Sequence, residues 1–216
     1  MSKKKRWSTK AVMHQIYENN MWGGKENDFY SGDGSHDNKI VEPYINVMIQ
    51  FFQSFRKPIS VCDLGCGDFN VGEKLVAHTS SYIAVDVVDS LIERNKEKFK
   101  WDNLAFKCLD ICMNELPIAD CAIVRQVMQH LSNNEILELV KQFKKYKYLI
   151  VTEHIPNAEF KPNIDIVTGQ GIRLKKKSGV LLTEEPFNLK TVSEARVLEI
   201  EHDDKSLIVT TLYVMF

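Results

Sequence analysis

Residues 59–67 read Ile-Ser-Val-Cys-Asp-Leu-Gly-Cys-Gly and are followed by Asp-Phe-Asn at 68–70. A short apolar run ends in a carboxylate, breaks at two glycines, and continues with apolar residues at helical spacing, Val71, Leu75 and Val76. This order predicts a strand, a tight turn and a helix. Because glycine permits unusual backbone angles and close approach of a ligand, the stretch is typical of a cofactor-binding turn.

The charge of this turn indicates which cofactor it suits. A dinucleotide-binding turn carries a third glycine, but Asn70 stands in that place. S-adenosylmethionine has an ammonium and a sulfonium and no phosphate, so the carboxylate of Asp63 is favourable to it. The residues therefore fit a cationic cofactor better than NAD, and an NAD-dependent oxidoreductase stays open as an alternative.

At this motif the sequence resembles the class I S-adenosylmethionine-dependent methyltransferases, whose first motif is acidic-x-Gly-x-Gly-x-Gly. Asp63, Gly65 and Gly67 match it, and Phe69 replaces the last glycine. The resemblance implies an enzyme that uses S-adenosyl-L-methionine. It also implies an α/β, Rossmann-like seven-stranded sheet with an antiparallel last strand and an N-terminal helical lid. The departure at Phe69 leaves a second alternative, a non-catalytic methyltransferase-like subunit that binds a partner.

Composition sets the broad class. The chain has 216 residues, of which 44% are apolar, as expected for one well-packed domain. Its 29 acidic and 28 basic residues give no sign of a nucleic-acid-binding face. Five cysteines, no signal peptide and no membrane-spanning apolar run favour a reducing cytoplasm. The two C-x3-C pairs overlap the strand motifs, so we expect buried thiols and no metal site. The oligomeric state is not predicted.

We predict a single methyltransferase domain over residues 1–216. An N-terminal helical lid covers residues 1–57, with helices at 8–18 and 38–55 and a polar, aromatic-containing loop between them. The Rossmann-like core covers residues 58–216. Within the core, residues 155–190 carry several glycines and prolines and no clear long element, so they are interpreted as an insertion over the strand ends.

Apolar runs bounded by turn residues predict five βα-type strands and a terminal hairpin. Helices are expected at 90–99 and 133–145, and the second begins with a capping box formed by Ser132 and Glu135. The strands after the opening one are predicted at 82–88, 104–109, 121–126, 148–153, 193–201 and 207–216.

Acidic residues at two strand ends extend the cofactor-site prediction. Asp86 lies 23 residues beyond Asp63, where a carboxylate can accept both ribose hydroxyls. The resemblance implies that Asp110 bonds the adenine amino group and that the next amide, of Ile111, meets the ring. The predicted cofactor-binding residues are Ser31, Asp63, Gly65, Gly67, Asp86, Val87, Asp110, Ile111 and Arg125.

Methyl transfer from a sulfonium depends on in-line positioning, and a base is needed only if the nucleophile must lose a proton. His130, just beyond the fourth strand, is the predicted base, with Tyr17 or Tyr30 from the lid orienting it. A buried imidazole that only holds the turn is the alternative for His130. Arg125 suits either the cofactor carboxylate or a substrate anion.

The substrate is predicted to be a small molecule because a lid and an insertion enclose the site. Trp22, Gln126 and Arg173 are the predicted substrate-binding residues, and Arg173 or the lysines at 175–177 would meet a phosphate or carboxylate. The resemblance extends to bacterial enzymes of surface-polysaccharide (capsule) biosynthesis and secondary metabolism, including those that methylate phosphoramidates or sugars. No nucleic-acid or membrane partner is expected.

Overall fold

The computed structural model describes residues 7–24 and 28–216 and contains a seven-stranded mixed sheet. In chain order the strands are β1 (Ser60–Leu64), β2 (Ser81–Asp86), β3 (Leu104–Cys108), β4 (Cys121–Arg125), β5 (Tyr148–Pro156), β6 (Ser193–Asp203) and β7 (Ser206–Val214). They lie side by side as β3-β2-β1-β4-β5-β7-β6. The first five run parallel, and β7 is antiparallel to both neighbours. The predicted fold class is confirmed.

In the described ranges, four α-helices accompany the sheet: α1 (Thr9–Glu18), α2 (Asn38–Gln53), α3 (Asp89–Lys98) and α4 (Asn133–Phe143). Ser8 caps α1 by accepting a hydrogen bond from the amide of Ala11 at 3.2 Å. Ser132 and Glu135 form the expected capping box at the start of α4. Helices α1 and α2 fall within the predicted lid, of which residues 1–6 and 25–27 lie outside the described residues.

Helix α2 contains Pro43 in its second turn. Proline there removes a backbone donor. The apolar stripe of the helix compensates, since Tyr44, Met48 and Phe52 are almost fully buried against the sheet. Burial of such a stripe stabilises a helix more strongly than one main-chain hydrogen bond does.

The helix predicted directly after β1 is wrong. Residues 72–74 and 76–78 form two short 3₁₀ turns instead. Gly72 is a poor helix former, and its backbone packs closely against the Phe69 ring. A Cβ added at residue 72 would come within 2.4 Å of a ring carbon of Phe69. Leu75 and Val76 are buried as expected, but through turns rather than along one face of a helix.

The strand ends position the site. The carboxyl ends of β1 to β5 share one edge of the sheet, and β6, which runs parallel to β5 through β7, ends there too. Beyond β5, the predicted insertion is mostly irregular and contains one 3₁₀ turn, Arg173–Lys176. Among the residues described, none of the helices is both long and apolar enough to cross a bilayer.

Candidate active site

A cavity of about 420 Å³ runs along the carboxyl edge of the sheet. Its size is typical of small-molecule and cofactor sites. Strand ends supply one wall, and the segment of residues 28–37, called here the lid segment, supplies part of another. The predicted site residues that line it are Tyr17, Trp22, Ser31, Gly65, Gly67, Asp86, Val87, Asp110, Ile111, Arg125, Gln126 and His130. Tyr30, Asp63 and Arg173 do not line it.

Asp86 presents its carboxylate to this cavity from the end of β2. One oxygen accepts the amide of Gly67 and the other accepts the amide of Val88, each at 3.1 Å. Burial raises the pKa of this group, while the backbone donors favour its ionised form. A carboxylate has about four acceptor positions, so capacity remains for a diol.

The next strand end supplies Asp110 and an apolar wall. One oxygen of Asp110 accepts the amide of Cys112 at 2.9 Å, which fixes the side chain at the cavity margin. Val87, Leu109 and Ile111 line the cavity beside it. A polar atom at the edge of an apolar slot is the arrangement that binds a flat heterocycle.

The lid segment is hydrogen-bonded directly to the glycine turn. The amide of Ser31 donates to the Asp68 carboxylate, and the amide of Asp68 donates to Ser31 Oγ, both at 2.8 Å. Tyr17 Oη lies 2.9 Å from the same Ser31 oxygen. A Cβ at residue 67 would come within 2.4 Å of Ser31 Oγ, so this contact requires glycine.

Tyr30 belongs to this attachment and does not orient His130, contrary to the prediction. Its hydroxyl donates to Asp33 at 2.5 Å, and its ring stacks on His36 with centroids 4.3 Å apart. His36 Nε2 in turn donates to the buried carboxylate of Asp68 at 2.6 Å. The Tyr30 ring therefore packs over the contact between the lid segment and the turn.

Asp63 faces a separate, smaller cavity behind the turn, so the prediction that it lies beside the cofactor is not supported. Its carboxylate accepts the Tyr82 hydroxyl at 2.9 Å. Arg125 and Tyr44 line the same small cavity. Burial raises the pKa of Asp63 to about 7. The alternation of a strand explains this position, because Asp63 points to the face opposite Cys62 and Leu64.

Arg125 lines both cavities but already has partners. Its guanidinium donates to the carbonyl of Gly34 and lies 3.4 Å from Ser35 Oγ. It also stacks over the Tyr44 ring, 4.9 Å from the centroid. These contacts join the lid segment to the end of β4, so binding of an anion by Arg125 would compete with them.

His130 lies in the 3₁₀ turn after β4 and is half-buried against the insertion. Its Nδ1 is 3.2 Å from the carbonyl of Gly169, which can only accept, so Nδ1 carries the proton. Its Nε2 accepts a long contact of 3.3 Å from the amide of Gln129. Burial lowers the pKa of the ring to about 4, and the imidazole is neutral at pH 7.

Trp22 connects the two predicted catalytic side chains that reach the cavity. Its ring lies 5.1 Å from His130 and 5.2 Å from Tyr17, centroid to centroid. Burial, followed by the charge of Asp86, raises the pKa of Tyr17, so its phenol stays protonated. Tyr17 can therefore donate or accept a hydrogen bond but does not act as a base.

Arg173 is completely buried and holds the turn after β4, so its predicted contact with a substrate anion is wrong. The guanidinium donates to the carbonyls of Met128 and Leu131 at 2.8 Å and to Asn133 Oδ1 at 2.7 Å. A planar five-donor group suits such a convergent set of acceptors. These hydrogen bonds hold the insertion against the turn that contains His130.

Several cavity residues were not predicted from the sequence. Gln129, His154 and His202 all line the cavity. His154 follows a buried strand and lies at the carboxyl edge, which is where ligands bind in such sheets, so its position carried a usable signal. His202 lies near the hairpin turn of a long antiparallel pair, and its proximity to β5 cannot be recognised without the register.

Comparison with known protein families gives one match within the chain. Residues 61–146 match the family described as "Methyltransferase domain". Among proteins with curated descriptions, none matches the chain in sequence.

Solved structures share the fold. The N-methyltransferase NodS from Bradyrhizobium japonicum WM9, crystallised with S-adenosyl-L-homocysteine, aligns with a TM-score of 0.66 at 13% identity over 94% of this chain and 98% of its own. The magnesium protoporphyrin IX methyltransferase ChlM from Synechocystis PCC 6803, with bound SAM, aligns at 0.59 and 13% identity over 97% and 99%. At such identities the likeness establishes the fold alone.

The expected cofactor fits the chain's own residues. Spare acceptor capacity at Asp86, the apolar slot beside Asp110 and the absence of side chains at Gly65 and Gly67 suit a nucleoside that carries a cationic tail. The match to the methyltransferase domain family, which spans β1 to β4, agrees with these features. The chain therefore carries a methyltransferase domain at residues 61–146 and has the fold of methyltransferases crystallised with S-adenosylmethionine or S-adenosylhomocysteine.

Proposed function

We propose that S-adenosyl-L-methionine is the cofactor of this chain and that it lies along the strand ends from β3 to β4. Asp86 would accept the ribose hydroxyls, and Asp110 with Ile111 would hold the adenine in the apolar slot formed with Val87. The backbone at Gly65 and Gly67 would approach the methionine portion, with Ser31 covering it. The spare acceptor capacity of Asp86 and the 420 Å³ cavity support this assignment.

The cofactor, when bound, supplies an electrophilic methyl group on a good leaving group. The contribution of the chain is then to place a nucleophile in line with that methyl and to exclude water. Trp22, His130 and Gln126 line the cavity next to the glycine turn. We propose that they position the acceptor atom of the substrate.

We further propose that His130 accepts the proton of the nucleophile. The observation that carries this role is a neutral imidazole whose Nδ1–H is tied to Gly169, which leaves only Nε2 as a basic site, in a residue that lines the cavity. A pKa near 4 makes His130 a weak base. A weak base suffices because an oxygen or nitrogen that gains a methyl group becomes strongly acidic as the bond forms.

The substrate proposed is a small molecule that bears an oxyanion. The enclosure of the cavity supports a small molecule. The proposal that the substrate is an anion cannot depend on Arg173, because Arg173 is buried. It depends on Lys175, an exposed cation that lines the cavity. Phosphate-bearing sugars and phosphoramidates of bacterial surface-polysaccharide biosynthesis are the first compounds to test.

The test is release of S-adenosylhomocysteine across a panel of phosphate-bearing sugars, phosphoramidates, carboxylates and amines. With an active substrate, His130→Gln is expected to lower kcat by about 10²- to 10⁴-fold. Affinity for S-adenosylhomocysteine should stay within about twofold, since His130 lies outside the proposed cofactor contacts. His78→Gln, which does not touch the cavity, is the matched control. A His130→Gln enzyme with full kcat would remove the base from the mechanism.

A further inference from the structure

The side of the cavity away from β2 and β3 ends in a pair of histidines. His154 lies at the end of β5 and His202 near the end of β6, and Ile208 of β7 lines the cavity between those strands. The two imidazole rings are perpendicular, with centroids 4.7 Å apart. Within the described part of the chain, His154 Nε2 is buried and has no hydrogen-bond partner. An unpaired buried polar atom that lines a cavity marks a place where a ligand can bond.

The sheet order separates this pair from the cofactor contacts. His154 lies three strand spacings from Asp86, since β1 and β4 stand between β2 and β5. At about 4.8 Å per strand this amounts to roughly 14 Å. The histidine pair therefore lies well away from the proposed ribose contact at Asp86.

Charge is distributed unevenly along the cavity. Among described residues, the carboxylates that line it are Asp33, Asp86 and Asp110, from the lid segment and the ends of β2 and β3. The histidine end is lined instead by His154 and His202, and Lys175 comes from a turn that contacts β5 and also lines the cavity. Asp203, the last residue of β6, interacts electrostatically with both histidines but does not line the cavity.

Lys175 comes from the 3₁₀ turn of the insertion. Its ammonium lies beside Gly171, because a Cβ added at residue 171 would be 3.7 Å from Lys175 Nζ. Gly171 also lines the cavity. Two imidazoles and an ammonium offer donors to an oxyanion without a competing carboxylate on the same wall.

We propose that His154, His202 and Lys175 form the subsite that binds the anionic group of the methyl acceptor, as a phosphate monoester or a carboxylate. The oxyanion would accept hydrogen bonds from His154 Nε2, from the His202 ring and from the Lys175 ammonium. The inference rests on the proposed function, because it assigns one part of the acceptor to one end of the same cavity. It makes these three residues determinants of substrate specificity rather than of chemistry.

The test measures binding of inorganic phosphate to the full chain saturated with S-adenosylhomocysteine, without any turnover. Imidazole ¹⁵N resonances are followed during titration with phosphate and, in a second arm, with acetate. We expect saturable shifts of the His154 and His202 signals. In His154→Gln and in Lys175→Met, phosphate affinity should fall at least about tenfold. Response to phosphate alone indicates a phosphate monoester, and response to acetate as well indicates that a carboxylate also fits.

Two controls keep the outcomes distinct. S-adenosylhomocysteine affinity should be unchanged in both variants, which shows that they fold, and His78→Gln should bind phosphate as the parent does. If neither anion moves the two rings, or if the variants bind phosphate equally well, the subsite is refuted while the role of His130 stands. If phosphate binds as expected but His130→Gln keeps its activity, the subsite stands and the proposed base fails.

Discussion

Phe69 occupies the place of a glycine in the first motif and adopts a backbone conformation that glycine favours. Its φ is +64°, a left-handed value that costs a side-chain-bearing residue about 1–2 kcal/mol. The ring is fully buried and meets Tyr82, Phe99 and Phe106 edge to face. Burial of an aromatic ring outweighs the backbone cost, so a phenylalanine is tolerated at this position.

This balance predicts an unusual order of stability at residue 69. Phe69→Ala should lower the free energy of unfolding by about 3–5 kcal/mol through the lost packing. Phe69→Gly should be about 1 kcal/mol more stable than Phe69→Ala because the left-handed backbone strain disappears. Urea denaturation measures both. At Phe106, in β3, we expect the usual order, in which the alanine variant is more stable than the glycine variant. If the variants of Phe69 showed that same order, the backbone at residue 69 would not be strained.

Asp63 gives a pH-dependent contribution to stability. Its pKa in the folded chain is about 7, above the ordinary value of 3.8. The folded state therefore binds more protons than the unfolded state between those values, and the free energy of unfolding falls as pH rises through this window. The upper bound of that loss is about 4 kcal/mol.

Asp63→Asn removes the charge and keeps an acceptor for Tyr82. We expect the stability of the variant relative to the parent to rise from pH 4 to about pH 7 and to level off above it. Urea denaturation at a series of pH values measures the difference. Asp120→Asn, at the opposite end of the sheet, serves as a control. Hydrogen bonds from Ser60 lower the pKa of Asp120, so its contribution to the free energy of unfolding changes with pH in the opposite direction. A difference at Asp63 that is independent of pH would contradict the raised pKa.

At the scale of elements, the lid segment depends on one buried carboxylate. Asp68 accepts hydrogen bonds from the Ser31 amide, from His36 and from the Asn70 amide. Each hydrogen bond to a charged group contributes about 1.5–3 kcal/mol where the site is dry. Without them the segment has to be ordered each time a ligand binds.

We therefore expect Asp68→Ala to weaken S-adenosylhomocysteine binding by about tenfold or more, as measured by calorimetry. Amide hydrogen exchange across residues 29–36 should accelerate in the same variant. Asp37→Ala removes a carboxylate of the same chain region that caps α2 through Lys39, and it should cost stability while leaving affinity within about twofold. Equal affinity in the parent and Asp68→Ala would mean that the segment does not contribute to binding.

The insertion has its own anchor in Arg173. Arg173→Met leaves the carbonyls of Met128 and Leu131 without their donor and should destabilise the chain by about 3–5 kcal/mol. Lys176→Met, which removes an exposed bond to the Asp165 carbonyl, should cost about 1 kcal/mol or less. Thermal unfolding separates the two. Similar melting temperatures for both variants would show that the buried contacts are dispensable.

These elements differ in how well they can be predicted from the sequence. The strands and α4 are predictable because apolar runs and a capping box are local signals. The missing helix after β1 results from a ring–glycine contact between Phe69 and Gly72 that no periodicity reveals. Arg173 looks like a surface cation in an irregular segment, and only the fold brings three acceptors around it.

For the whole molecule, the prediction concerns which nucleotide stabilises it. A ligand at 100 times its dissociation constant adds about 2.7 kcal/mol, which for a chain of this size raises the melting temperature by about 5–10 °C. We expect that response with S-adenosylmethionine and S-adenosylhomocysteine. NAD should give no such shift because the turn lacks the third glycine that a pyrophosphate requires. A shift with NAD alone would contradict the cofactor assignment.

Only part of the candidate site can be predicted from the sequence. Asp86 is recognisable from the sequence because it ends β2, and Asp110 because it follows β3 by two residues. The pairing of Ser31 with Asp68 spans 37 residues, and the meeting of His154 with His202 depends on the register of β5, β7 and β6. Such contacts follow from chain topology rather than from any local pattern.

The reciprocal bonds between Ser31 and the glycine turn also bear on the timing of catalysis. For a cofactor held as proposed, the demethylated product leaves past the lid segment, and both bonds break once in every cycle. Departure of the spent nucleotide, rather than the transfer itself, then becomes the step that sets the pace of repeated cycles. The lid segment would in that case protect the reactive sulfonium from water at the expense of speed.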